Sequence, residues 1–169
     1  EALRLKARVL RPSVSGNSEW SALHDQFLQT SAVGFPLRIT ELMYHPKESE
    51  ALEFVELTNV RTARLDLTGF YFRGIDYRFP PGSRLEGHQT IILIPNDDPE
   101  AFAATYPNVS VFGTYRRHLA NDGEAIRIFD RYDRLITSIA YDDNPENLWP
   151  ETPDGQGFSL EAVDLLIAG

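Results

Sequence analysis

What most narrows the folds open to this chain is its rhythm: short apolar segments of strand length recur, separated by clusters of Gly, Pro, Asn and Asp. Residues 36–44, 52–59, 69–73, 90–94, 124–130, 135–142 and 157–163 each fit a strand bounded by turn residues. Many short strands joined by turns build sandwiches or barrels, whereas parallel folds need a helix between successive strands. The chain therefore reads as all-β. Thr90-Ile91-Ile92-Leu93-Ile94 is a continuous apolar run and predicts a strand covered on both faces. Residues 124–130 and 135–142 predict a hairpin across Arg131-Tyr132-Asp133-Arg134. In residues 37–44 the apolar parity slips: Leu37 and Ile39 share one parity, Leu42 and Tyr44 the other. A β-bulge near Glu41 accounts for the slip, and so does a strand buried on both faces.

One helix interrupts the strands. Asn96-Asp97-Asp98-Pro99-Glu100 offers an acidic N-cap with Pro in the first turn. Phe102 and Tyr106, four apart, share a face before Pro107 stops the helix, which reads as a short edge-covering crossover.

The beginning of the chain differs. Leu3, Leu5, Ala7 and Val9 alternate with Arg4, Lys6 and Arg8, and a polar turn at residues 13–18 leads to Trp20 and a second short strand ending near Phe27 and Leu28. Two strands are not stable alone in water, so this hairpin reads as the end of a truncated neighbouring module or as a support for the next domain, with Trp20 packed between the two. Residues 29–34 are small and polar with Pro36 following, which predicts a linker. The expected organisation is residues 1–33 as hairpin plus linker and 34–169 as the main domain. The start on a strand pattern predicts a piece of a larger protein, and the apolar Leu165-Leu166-Ile167-Ala168-Gly169 is expected to pair with an edge strand or to lie disordered.

The function classes open to such a domain are limited by what it contains. Sixteen basic residues against 25 acidic ones give a formal charge of −9, which works against phosphate binding, so no nucleic-acid partner is expected. Tyr115-Arg116-Arg117-His118 is the local exception and reads as a solvated loop. Without cysteine there are no disulfides or thiolate metal ligands. No apolar run reaches the roughly 20 residues that cross a bilayer, so no membrane insertion is expected. His24, His45, His88 and His118 sit on separate loops without metal-ligand spacing and read as exposed loop histidines. No nucleophile elbow, Ser-His-acid pattern or phosphate-cradling glycine loop is present, so the domain reads as non-enzymatic. Asp97-Asp98 reads as a helix cap and Asp142-Asp143 as a strand-end turn. Together with Asp154, however, Asp142 and Asp143 supply the loop carboxylates a calcium ion uses, although the dedicated D-x-[DN]-x-[DN]-G pattern is missing. Trp149 has two readings, as a packing residue over the end of the sandwich or, with Tyr71 and Tyr77, as an exposed platform for sugar rings.

Six ordered segments bear a family resemblance. They are Ile39-Thr40-Glu41-Leu42-Met43-Tyr44-His45-Pro46, Glu53-Phe54-Val55-Glu56-Leu57-Thr58-Asn59, Leu65-Asp66-Leu67-Thr68-Gly69-Phe70, Tyr77-Arg78-Phe79-Pro80-Pro81-Gly82, Leu119-Ala120-Asn121-Asp122-Gly123-Glu124-Ala125-Ile126, and Trp149-Pro150 with Gly157-Phe158-Ser159-Leu160-Glu161. In this order they resemble the lamin tail domain, found in nuclear lamins and in bacterial secreted proteins, over about three-quarters of the chain. The resemblance implies an immunoglobulin-like β-sandwich with one crossover helix and an extra N-terminal hairpin. It implies a non-catalytic interaction or spacer module of a larger secreted or cell-surface bacterial protein, contacting neighbouring domains of its parent, another protein or cell-wall polysaccharide. It also places the Trp149-Pro150 pair at the end of the sandwich. A carbohydrate-binding module and a calcium-stiffened adhesion module are the competing expectations. Lys6-Ala7-Arg8-Val9 with Glu19-Trp20-Ser21 resembles the last two strands of a fibronectin type III or chitobiase-tail-like module.

Overall fold

The computed structural model describes residues 35–146 and 149–162 in full, residue 147 by its backbone, and the backbone of four strands before them. Those four are β1 (Ala2–Ala7), β2 (Leu10–Pro12), β3 (Ser18–Trp20) and β4 (His24–Gln29); β1 pairs antiparallel with β4 and β2 with β3. The side chains of Trp20 and His24, and residues 165–169, lie outside the described residues.

Two sheets face each other. The larger has the order β11-β10-β6-β5-β14, built from β5 (Leu37–Met43), β6 (Phe54–Asn59), β10 (Thr90–Pro95), β11 (Val111–Tyr115) and β14 (Leu160–Glu161). The smaller has the order β13-β12-β8, from β8 (Tyr71–Arg73), β12 (Gly123–Phe129) and β13 (Leu135–Asp142). A short pair, β7 (Leu65–Asp66) with β9 (Arg84–Leu85), completes the framework. Period-2 alternation explains the core between the sheets. Val55 and Leu57 of β6 and Ile91 and Leu93 of β10 point inward to meet Phe72, Ile126 and Ile128 of the smaller sheet. Tyr44 and Tyr141 meet across the gap in a tilted pair with ring centroids 4.6 Å apart. The result is an all-β, immunoglobulin-like sandwich.

The parity slip in β5 is a bulge. Ile39 pairs with Leu57 and Glu41 with Glu56, so Thr40 is the extra residue, and the phase of every later side chain reverses. Leu42 can then join Leu37 and Ile39 in the core. The apolar run in β10 is covered on both faces, as its pattern requires. Ile91 and Leu93 face the main core, while Ile94 meets Leu52 and Phe102 in a second cluster.

That second cluster is supplied by helix α1 (Pro99–Thr105), which begins on Asp98, whose Oδ1 accepts the Ala101 N–H at 2.9 Å. Phe102 is 1 % exposed and meets Phe54 edge-on, a burial that contributes about 2 kcal/mol. The helix is a crossover, but it covers the outer face of β10 rather than an edge. Strand β11 takes the edge instead, parallel to β10, and a parallel pair needs such a crossover.

Other differences are local. Residues 50–52 form a single 3-10 turn, not the start of a strand, because the Ser49 hydroxyl accepts the Ala51 N–H at 3.3 Å. The last strand shrinks to Leu160–Glu161, paired with Leu42 and Glu41 of β5. Strands β7 and β9 are two residues each, too short to register as a period in the sequence. In β11, Gly113 leaves room that Tyr77 fills, since a Cβ there would lie 2.5 Å from the Tyr77 hydroxyl.

Candidate functional site

The outward face of the smaller sheet carries cations and aromatics together. In β8 and β12, Tyr71 pairs with Phe129 and Arg73 with Arg127, and both arginines are exposed. Like charges directly opposite each other on one sheet face disfavour folding. The Arg73 guanidinium lies 4.5 Å from the Phe129 ring centroid, and that of Arg78 lies 4.5 Å from the Tyr71 centroid. The hairpin tip adds Tyr132, 66 % exposed, with Arg131 and Arg134 over its ring at 5.1 and 5.6 Å. Arg73, Arg78, Arg127 and Arg131 make no ion pair with another described residue.

Asp130 holds this hairpin in shape. Its carboxylate accepts the backbone N–H groups of Tyr132 (2.8 Å) and Arg134 (3.0 Å) and pairs with Arg134 Nε at 2.7 Å. Burial opposes the charge, but these hydrogen bonds outweigh it and hold the carboxyl below its ordinary value. A depressed folded value stabilises the protein above the unfolded carboxylate range and loses that contribution as pH falls through the folded value. Asp130→Asn is therefore expected to cost about 1 kcal/mol at pH 7, the exposed Arg134 arm adding little, and to flatten the acid side of the stability curve below about pH 4. Urea denaturation between pH 2.5 and 7 measures both.

A second constellation lies at one end of the larger sheet. Glu53 is fully buried. Its Oε2 accepts the Leu119 N–H at 2.9 Å and the Tyr115 hydroxyl at 3.4 Å, while its Oε1 faces His118 Nδ1 at 3.1 Å. The other ring nitrogen, Nε2, meets Asp97 at 2.6 Å. Glu50 stands one 3-10 turn before Glu53, and the ligand atoms of Glu50, Glu53 and His118 all lie within 4.8 Å of one another. Burial pushes the Glu53 carboxyl up against the pull of His118. Burial also works against the imidazolium, but Glu53 and Asp97 outweigh it and raise His118.

This centre contradicts the reading of His118 as a bare loop histidine and of its tetrapeptide as a solvated loop. Tyr115 is wholly buried at the end of β11, and His118 bridges two carboxylates. His45 is likewise engaged, with Asp154 at 2.6 Å. Nor do Asp97 and Asp98 act together: Asp98 caps the helix and Asp97 turns to His118. Glu53 shares the parity of Val55 and Leu57, so the alternation of β6 already put a carboxylate on the core side. That was the available signal.

The remaining residues singled out from the sequence are dispersed. Tyr71 donates to Asp133 at 2.9 Å and stacks on Phe129. Tyr77 packs edge-on against Phe72 and Phe79. Trp149 is half-buried against the main core. Asp142 accepts the Asn144 N–H at 2.9 Å, as a strand-end turn does. Burial, with Asp154, Asp143 and Asp142 nearby, raises the Tyr44 phenol, so these three carboxylates approach one region without forming a compact ligand group like that at Glu53. Among the described residues no helix is long and apolar enough to cross a membrane.

Comparison with known proteins settles the lineage of this sandwich. The family profile described as Lamin Tail Domain matches residues 30–143. The chain belongs to the lamin tail domain family. This is an immunoglobulin-like domain, commonly a non-catalytic interaction module. No curated protein and no solved structure matches the chain significantly.

Proposed function

We propose that this lamin tail domain is a non-catalytic interaction or spacer module of a larger secreted or cell-surface bacterial protein, docking through the arginine–aromatic face of β8, β12 and the hairpin tip. The observation that carries the reading is Arg73 set opposite Arg127, both exposed and without an ion-pair partner among the described residues. A face that disfavours folding by its own charge and stacks its guanidinium groups on rings suits a partner bearing carboxylates. The other outward face supports the same reading. Glu41 pairs with Glu56 on one side and Glu161 on the other, so the two sheets present opposite charge to whatever lies on either side. Such polarity suits a module stacked between neighbouring domains, another protein or an anionic cell-wall polymer, and the net charge of −9 works against nucleic acid.

The test is co-sedimentation with polygalacturonate and with chitin, and pull-down with the neighbouring domains of the parent chain. Reversal of both charges (Arg73→Glu with Arg127→Glu) is expected to weaken capture by the acidic polymer or the neighbouring domains at least about tenfold at low salt. If the double reversal leaves every interaction unchanged, this face is not the docking surface. Retention on chitin that is lost on Trp149→Ala, but not on charge reversal, would make the domain a carbohydrate-binding module instead.

A further inference from the structure

We infer that Glu50, Glu53 and His118 form a binding site for a first-row divalent metal of the zinc type, with Asp97 as the group that orients the histidine. Nothing in the arginine face or in the interaction role requires it; it rests on other elements and other residues.

The three donors come from two segments that the fold brings together: the 3-10 turn Glu50–Leu52 with the residue that follows it, and the loop after β11. A 3-10 turn advances three residues per turn, so Glu50 and Glu53 leave it on the same side. Glu53 is divided in its duties. One oxygen is fixed by the Leu119 N–H and the Tyr115 hydroxyl, which aims the other at His118. That is how a ligating carboxylate is commonly held, with its non-ligating oxygen hydrogen-bonded by the surrounding chain.

His118 is held the same way. With Nδ1 turned to Glu53, Nε2 meets Asp97 at 2.6 Å. A metal-bound histidine donates its second ring N–H to a carboxylate in just this manner, which sets the tautomer and the ring orientation. The pairing also explains why Asp97 turns away from the helix start that its neighbour Asp98 caps.

The donor set selects the ion. One imidazole nitrogen and two carboxylate oxygens suit zinc and its neighbours, whereas calcium asks for six to eight oxygens. Donors about 2.1 Å from zinc in a tetrahedron stand about 3.4 Å apart, against the 4.8 Å limit of the present group. Glu50 is exposed at the start of its turn and free to close the difference, leaving a fourth position for water. A metal ion would give the buried Glu53 carboxylate a cation in place of the imidazole proton it now faces.

The full chain, stripped with chelator, is titrated with Zn²⁺ by calorimetry, and Co²⁺ then reports the site by its visible absorption. One zinc per chain is expected, with visible cobalt bands. His118→Ala and Glu50→Gln should each weaken zinc at least about tenfold and erase the cobalt bands, and Asp97→Asn should weaken it about 10- to 100-fold. His45→Ala, at the separate pair with Asp154, should leave both readouts unchanged. Circular dichroism checks that each variant is folded; because Glu50 is exposed, Glu50→Gln keeps the test decisive if His118→Ala is not. The proposal is overturned if wild type takes up no zinc, if folded Glu50→Gln binds zinc and cobalt like wild type, if His45→Ala removes the binding, or if Ca²⁺ binds in place of zinc.

Discussion

Asn59→Leu is expected to lower the stability of the domain by about 4 kcal/mol, roughly 1 kcal/mol for each of the four side-chain hydrogen bonds it removes. Asn59 is fully buried at the end of β6. Its amide donates to the carbonyls of Ala63 (2.8 Å) and Glu86 (2.9 Å), with Leu85 O at 3.3 Å, while its Oδ1 accepts the Arg61 N–H at 3.1 Å. One side chain therefore ties the chain leaving β6 to the chain between β9 and β10. Leucine is close in size but offers none of these bonds, and the carbonyl of buried Leu85 loses a partner away from solvent. Asn59→Asp should be about as damaging, because a carboxylate accepts but cannot donate to three carbonyls. Urea denaturation should show the midpoint falling with little change in slope, and a melting temperature lower by roughly 10 °C. A loss below about 1 kcal/mol would mean that the carbonyls find other partners.

Gly87→Ala is the second large effect, about 3 kcal/mol, and it acts on the same junction from the other side. A Cβ on Gly87 would lie 2.1 Å from Thr62 O, 2.5 Å from its carbonyl carbon and 2.8 Å from its Cα. All three are backbone atoms, so no side chain can swing aside. The segment cannot simply retreat either, because the His88 N–H donates to Arg61 O and the Asn59 N–H to Gln89 O, both at 3.0 Å. Gly87 is thus glycine for close approach. Because either substitution separates the same two segments, Asn59→Leu with Gly87→Ala should cost less than the two separate losses added together. Thermal melts of the two single variants and the double variant provide the cycle, and strict additivity would show that the junction does not act as a unit.

Much of the framework is legible in residue patterns. Alternation in β6 and β12, the unbroken apolar run of β10 and the Asp-Pro start of α1 are consequences of neighbours in the chain, and local geometry suffices to read them. The parity slip in residues 37–44 is legible too, but it fits a bulge near Glu41 or a strand buried on both faces. Only the pairing of Ile39 with Leu57 and Glu41 with Glu56 makes it a bulge at Thr40. β7 and β9 were not legible, since two residues carry no period, and β11 was not, since its partner β10 lies across a helix.

The sites divide along the same line. Periodicity, a property of consecutive residues, is enough to read short strands of a sandwich or barrel with one crossover helix. Tertiary structure alone decided that Glu53 meets His118, 65 residues further on, that Arg73 stands opposite Arg127, and that Asn59 reaches Glu86. Those contacts depend on strand register and loop closure, which bring distant residues within hydrogen-bonding range and leave no mark on the local pattern of either partner.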